Sequence, residues 1–330
     1  MANVKEKVWK VIGKDIDNNA TSAEAILQAG LDFEVAKHPN LQSLPSGNNI
    51  ISDNSFFTFR TDTEAVLGDK IGRDYEVVQN IDAFSFFDNI VGGRGGIQYE
   101  TAGALGYGET IFITAKLPEQ IRVGRDDLID QYLFLTSTHD GLGSITIAFT
   151  PVRIWCANTL NAALKNCSNQ IKIRHTASAA EKLKGAHKML GISDQLSTEL
   201  EAIFNRWSRV RISDPEVKKL IQLALVPNKE TYEKLKTGKE SELSSHYNNM
   251  VSSVFDYAMT ADSQQETTTK GTLFGAYNSV TGYFQNVRNF RDDESKFKSI
   301  MYGTGFDRSQ STFDLCTDFA KHGNNALVLN

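Results

Sequence analysis

Cysteine is scarce in this chain: Cys156, Cys167 and Cys316 are the three among 330 residues, an odd number at wide spacing. That excludes a disulfide framework and fits unpaired thiols in a reducing compartment. Proline is rarer than usual at six residues, and the 24 glycines follow no period, so collagen-like and proline-rich disordered classes are excluded. No apolar run approaches the roughly eighteen residues of a membrane span. The opening Met1-Ala2-Asn3-Val4-Lys5-Glu6-Lys7 is charged and lacks an apolar stretch, so no secretory signal is expected. These absences predict a soluble cytoplasmic protein with no membrane partner. What remains is an ordinary globular composition, 40% hydrophobic and 23% charged, with enough length for one large or two ordinary domains.

The net charge of −5 excludes an all-over basic coat, but it hides an asymmetry. Between Pro151 and Leu190 stand seven cations (Arg153, Lys165, Lys172, Arg174, Lys182, Lys184, Lys188) against the single acid Glu181. That block carries about +6, which leaves about −11 on the rest of the chain.

Periodicity predicts an α+β fold: an antiparallel β-meander packed with helices, followed by a mainly helical C-terminal half. Residues 1–54 read as an N-terminal helix and connector, 55–190 as the α+β core, 191–305 as a helical region and 306–330 as a tail. Thr21 to Gly30 has a hydroxyl start, an early acid and a glycine stop, the marks of a short helix. Pro39 to Asn54 reads as loop, Phe56–Arg60 and Ile71–Val78 as strands, and Asn80–Ile90 as a helix with Ile81, Phe84, Phe87 and Ile90 on one face. After the glycine linker 92–96, four runs separated by glycine turns form the meander: Gln98–Leu105, Thr110–Leu117, Tyr132–His139 and Ser144–Trp155. A helix follows from Asn158 or Thr159, then a strand over Gln170–His175 and a helix over Ala179–Leu190. Further helices are predicted over Leu196–Val210, Asp214–Leu225 with Asp214 as cap, Glu240–Tyr257 and Gly271–Val287, and the last thirty residues read as a polar docking tail.

Several of these segments carry a resemblance. Gly72-Arg73-Asp74-Tyr75-Glu76-Val77-Val78, Leu135-Thr136-Ser137-Thr138-His139-Asp140-Gly141, Thr150-Pro151-Val152-Arg153-Ile154-Trp155-Cys156-Ala157-Asn158-Thr159-Leu160 and Gly275-Ala276-Tyr277-Asn278-Ser279-Val280-Thr281 are the longest. Over roughly residues 8 to 305 the chain resembles the phage- and plasmid-borne family called domain of unknown function 932 (DUF932). The resemblance implies a mobile-element setting and supplies no activity. The order of antiparallel strands followed by an Ala/Leu/Lys helix is also similar in topology to Rad52-like single-strand annealing proteins.

Enzymatic signatures are weak. Gly238-Lys239-Glu240 lacks both the first glycine and the hydroxyl of a phosphate-binding loop. Cys156, Cys167, His175 and His187 are scattered, with no pair at the tight spacing of a zinc site. His139-Asp140 ends a strand before Gly141, where a turn is the simpler reading than a paired metal ligand. No catalytic residue, metal or cofactor is therefore expected.

Binding signatures are stronger. A single-strand binder needs cations along a phosphate track and π-faces for bases. Lys172 and Arg174 alternate with Ile171 and Ile173, which puts both cations on one strand face. Arg153, Lys165, His175, Lys182, Lys184 and Lys188 extend the stripe, and Tyr99, Tyr107 and Trp155 are candidate stacking platforms. Arg206, Arg209 and Arg211 form a second cluster beside Trp207, which reads as core. The sequence thus points to a homo-oligomeric single-stranded-DNA-binding, annealing protein of a phage or plasmid. It would act beside an exonuclease or single-strand-binding protein of the same element. The rival reading is a structural or host-interaction protein of that element.

Overall fold

The computed structural model describes residues 7–17, 20–91, 97–153, 156–157, 170–185 and 188–329, without the side chains at 86–87, 89–91, 153, 156–157 and 189–190. The elements in the N-terminal part are α1 (Val8–Ile12), β1 (Lys14–Asp15), α2 (Ser22–Ala29), β2 (Val35–Ser43), β3 (Asn49–Arg60), β4 (Val66–Ile71) and α3 (Asn80–Val91). The meander follows as β5 (Gln98–Leu105), β6 (Thr110–Val123), β7 (Asp127–Thr138) and β8 (Ile145–Arg153), then β9 (Cys156–Ala157) and β10 (Gln170–Ile173). The helical part comprises α4 (Ala179–Lys184), α5 (Lys188–Trp207), α6 (Asp214–Ala224), α7 (Lys229–Lys236), α8 (Ser245–Thr260), α9 (Leu273–Gly282), α10 (Asp293–Met301) and α11 (Thr304–His322).

The fold is α+β. One seven-stranded antiparallel sheet runs β1-β5-β6-β7-β8-β10, with β9 also on β8, and a separate three-stranded sheet runs β2-β3-β4. The central strands β6 and β7 carry unbroken buried runs over Ile111–Ala115 and Gln131–Ser137, because both faces of the sheet are covered. On one face Phe112 and Phe134 stack at 5.6 Å, with Phe297 of α10 5.2 Å from Phe112 and Trp9 of α1 6.1 Å from Phe134. The opposite face meets α5: Gln131 Nε2 donates to Ser197 Oγ at 2.9 Å, and Asn205 pins the β6–β7 turn through Gly124 N–H (2.9 Å) and Arg122 C=O (2.6 Å). The C-terminal helices centre on their own aromatic cluster, where Trp207 lies 5.0 Å from Phe313 and 5.6 Å from Tyr277.

Several predicted elements form where expected. Thr21 caps α2 in a capping box with Glu24, and Gly30 closes it at φ 70°. The meander strand Gln98–Leu105 keeps its predicted limits, and α3 forms with Phe84 buried, although Ile81 faces solvent at 45% exposure. The cap of α6 is Ser213 instead of Asp214, and its N–H is taken by the Glu216 carboxylate at 2.8 Å.

Other expectations fail. Pro39–Asn54 is the outer part of a β2–β3 hairpin, with loop only at the turn, where Gly47 sits at φ 84°. Pro39 enters the ladder at a register shift, where a missing N–H is tolerated. The strand expected over Ile71–Val78 is displaced: β4 ends at Ile71 and the following residues cross irregularly to α3. The C-terminal tail is largely α11, which buries Phe313, Cys316 and Phe319. Its stripe is masked in sequence by Ser309 and Thr312, whose hydroxyls are satisfied by the Gly305 and Arg308 carbonyls of their own helix and can therefore be buried.

The two sheets meet at a close backbone approach. A Cβ added at Gly68 of β4 would lie 2.7 Å from Asp140 Cα and 2.8 Å from its carbonyl oxygen, neither of which can rotate away. Gly68→Ala is expected to lower unfolding stability by about 1–3 kcal/mol in urea titration. A wild-type midpoint would show that the sheets do not meet this closely.

Candidate functional site

The end of β7 organises the region in which the basic segment is displayed. His139 is fully buried, its N–H donates to Glu109 C=O at 2.7 Å, and its carbonyl accepts from the Thr58 hydroxyl of β3. Its ring Nε2 lies 2.8 Å from Asn80 Oδ1 at the start of α3. Asn80 Nδ2 donates to Leu31 C=O at 2.7 Å, which fixes Oδ1 as the acceptor and makes His139 the Nε2–H tautomer. His139 Nδ1 is then a buried lone pair without a partner. Beside it, at 6.4 Å between ring centres, sits His175 at the end of β10, also buried, with neither ring nitrogen completing a hydrogen bond. Tyr75 stacks on His175 at 5.0 Å and donates to Thr138 C=O at 3.1 Å, while Glu76 N–H donates to His175 C=O at 3.0 Å.

Both histidines are held neutral. Burial lowers His139 to about 3, and the neighbouring His175 adds to the shift. Burial likewise lowers His175 to about 4, against the opposing pull of the Asp140 carboxylate and the Glu76 backbone. Among the described residues no three His, Cys, Asp or Glu groups gather to hold a metal ion. The Asp140-Gly141 step makes the expected turn, with Asp140 Oδ1 accepting from Leu142 N–H at 2.9 Å and Gly141 at φ 74°.

This seam fixes the edge strand. β10 pairs with β8 in the register Gln170↔Ala148 to Ile173↔Ile145, and among the described residues no strand pairs with its other side. Ile173 is buried beneath it, whereas Lys172 and Arg174 are exposed. Lys182 and Lys184 of α4 and Lys188 at the start of α5 are exposed as well. Between Gln170 and Lys188 the only acid is Glu181. A cavity of about 810 Å³ opens between α3 and α4, lined by Glu76, Asp82, Ser85, Thr176, Leu183 and Lys184. Its two carboxylates disfavour a phosphate inside, so the cationic surface is the outer edge and not the cavity.

A family model matches residues 69–301. The chain belongs to that family, Domain of unknown function (DUF932). No curated protein and no solved structure matches the chain. The DUF932 match takes in the meander, the basic edge and α9, but leaves out α1, α2 and the outer β2–β3 hairpin.

Within the DUF932 fold the predicted site residues separate. Lys172 on β10, Arg174 just after it, Lys182 and Lys184 on α4 and Lys188 at the start of α5 are each exposed. His175 does not join them, because it is buried at 4% exposure against Tyr75. Tyr99 cannot stack a base: it is 3% exposed and its hydroxyl donates to Asp88 at 2.8 Å. Tyr107 is 70% exposed in the β5–β6 turn, at the same end of the sheet as Arg174 but separated from it by β6, β7 and β8. Lys165, Trp155, Cys167 and His187, and the side chains of Arg153 and Cys156, lie outside the described residues. In the second arginine cluster, Arg206 and Arg211 donate to the Ala320 and Lys270 carbonyls, and Trp207 is core. What sequence reasoning missed is the His139–Asn80–His175 seam; its signal was a histidine in an apolar strand followed by a turn.

Because both imidazoles have folded-state values below the unfolded value, the unfolded chain binds more protons as pH falls below about 6.5. Their contribution is complete above that pH and is lost toward their folded values. At pH 5 each histidine is expected to cost on the order of 2 kcal/mol relative to pH 7.5. His175→Phe, which keeps the stack on Tyr75, should remove about half of the two histidines' loss in urea titrations at those pH values. An unchanged pH dependence in the variant would show that His175 titrates normally.

Proposed function

We propose that the protein is a non-enzymatic single-stranded-DNA-binding protein that serves strand annealing in the recombination of a phage or plasmid. The β10–α4–α5 edge is its phosphate track. The observation that carries this reading is the exposed run Lys172, Arg174, Lys182, Lys184 and Lys188 against one acid, in a chain of net charge −5. Alternate residues of an extended strand are about 6.7 Å apart, a spacing of the same order as that of neighbouring phosphates on an extended nucleic-acid strand. Lys172 lies on β10, Arg174 just after it, Lys182 and Lys184 on the six-residue α4 and Lys188 at the start of α5, so no single helix shaped for a duplex groove carries them. Tyr107 is the retained candidate for base stacking. Annealing needs no covalent step, only strands held extended with bases free to pair. Copies of the chain set edge to edge would continue the track, and an exonuclease or single-strand-binding protein of the element would supply or protect the strand.

One observation favours a structural or host-interaction role instead. The outer β2–β3 hairpin is uncharged from Asn40 to Ser52 and exposes Leu41 and Ile51, paired across the ladder, at 64% and 62%. Such an unguarded apolar hairpin suits a protein contact better than DNA.

Fluorescence anisotropy with labelled single-stranded and duplex oligonucleotides, over a salt series and without metal, separates the two. The DNA reading expects preference for the single strand, with log K falling against log salt at a slope of about −3 for four or five phosphate contacts. Lys172→Glu with Arg174→Glu should weaken binding by about tenfold or more and flatten that slope. No binding at low salt, or an unchanged double variant, would overturn the proposed track.

A further inference from the structure

The outer β2–β3 hairpin stands apart from the core. Its apolar side chains Leu41, Leu44, Ile50 and Ile51 are all exposed, and none of the four belongs to the hydrophobic core or packs against it. The hairpin holds itself through its own turn: Leu44 N–H donates to Asn48 C=O at 2.8 Å, Gly47 N–H to Leu44 C=O at 2.9 Å, and Ser43 Oγ to Asn49 Oδ1 at 2.8 Å. A two-stranded ribbon in water is marginally stable, so it gains from a further strand laid along it.

The two edges of the ribbon differ. On β2, Val35 turns its N–H and C=O to the Gln79 amide at 3.0 and 2.8 Å, and Pro39, which faces the same way by alternation, has no N–H to offer. On β3, pairing with β4 reaches no further out than Phe56, so among the described residues no strand lies along Asn49–Asp53. Leu44 and Asn48 form a hydrogen-bonded pair, and such pairs alternate along an antiparallel ladder. Gln42↔Ile50 is therefore bonded across the ribbon, whereas Asn49 and Ile51 turn their N–H and C=O groups outward. Beyond Asp53 the free stretch ends, because the Ser52 hydroxyl takes the Asn54 and Ser55 N–H groups at 3.4 and 3.0 Å.

The charge pattern selects the occupant. A two-fold axis sets each residue near it against its own copy, where any charge repels itself. In a chain that is 23% charged, Asn40 to Ser52 carries no charge at all. A nucleic acid or a strongly charged partner finds nothing there to pair with, whereas a second copy meets no repulsion.

We propose that the Asn49–Asp53 edge of β3 joins two copies of this chain, antiparallel about a two-fold axis at Ile51, so that their hairpins form one four-stranded sheet. Each Ile51 faces its own copy, Ile50 falls opposite Ser52, and Asn49 opposite Asp53. Leu41, which pairs with Ile51 across the hairpin, extends the row on the same face, so the two copies line up Leu41, Ile51, Ile51 and Leu41. The ribbon is smaller than the roughly 20–30 residues a side of a standard interface, so the dimer is reversible at micromolar concentration. Sedimentation velocity of the full chain over a micromolar concentration series tests this. The wild type is expected to pass from monomer to dimer. Ile51→Lys and Ile51→Glu should each weaken association by about tenfold or more, and an equimolar mixture of the two should restore it. Both variants should melt as the wild type does when dilute, because Ile51 is exposed. Lys172→Glu with Arg174→Glu should dimerise as the wild type does, which separates this contact from the β10 edge. A wild-type monomer throughout the series, charge variants that associate normally, or a mixture no better than either variant alone would overturn the proposal. So would loss of the dimer in the Lys172/Arg174 double variant.

Discussion

The arrangement turns on keeping His139 neutral, dry and in one tautomer. From that residue the main chain reaches Glu109 in the β5–β6 turn and Thr58 in the second sheet, and the ring reaches Asn80 at the head of α3. Asn80 in turn holds Leu31, and His175 packs alongside at the end of the edge strand. Two sheets, a helix and an edge are therefore referred to one buried residue. Its proton must stay on Nε2, because Nδ1 faces no acceptor and a charged ring would lie in a low-dielectric interior.

That seam explains how a chain with excess acid can present a cationic surface. Ile173 is driven into the core and His175 is held against Tyr75, so the intervening Arg174 and the preceding Lys172 must point outward. The turn after β10 then sets α4 with Leu183 and Ala179 inward, which leaves Lys182 and Lys184 outside. The cations are displayed because the residues between them are buried. A DNA track on this edge therefore depends on the packing beneath it. Conditions that charge the histidines would disturb the edge before they altered any lysine.

Much of the fold was legible because its signals are local. Thr21…Glu24…Gly30 is a complete helix statement, and the glycines that punctuate the meander mark the limits of β5. What was illegible depends on partners distant in sequence. Pro39 and the polar run after it read as loop, because a hairpin is defined by its register and not by its composition. Ser309 and Thr312 disguised α11, since a hydroxyl that bonds its own helix behaves as a core residue. At the site, alternation placed Lys172 and Arg174 outward correctly, but counting every residue of the basic segment as surface misread His175. Tyr99 failed as a platform because its ring packs in the core and Asp88, eleven residues earlier, binds its hydroxyl.

The most direct test of the account is lysine-reactive labelling of the protein with and without a saturating single-stranded oligonucleotide, read residue by residue by mass spectrometry. The account predicts protection of Lys172, Lys182, Lys184 and Lys188, with Lys234 and Lys298, which lie on α7 and α10, labelled equally in both samples. Protection centred on other lysines, or none at a concentration where the strand is bound, would contradict it.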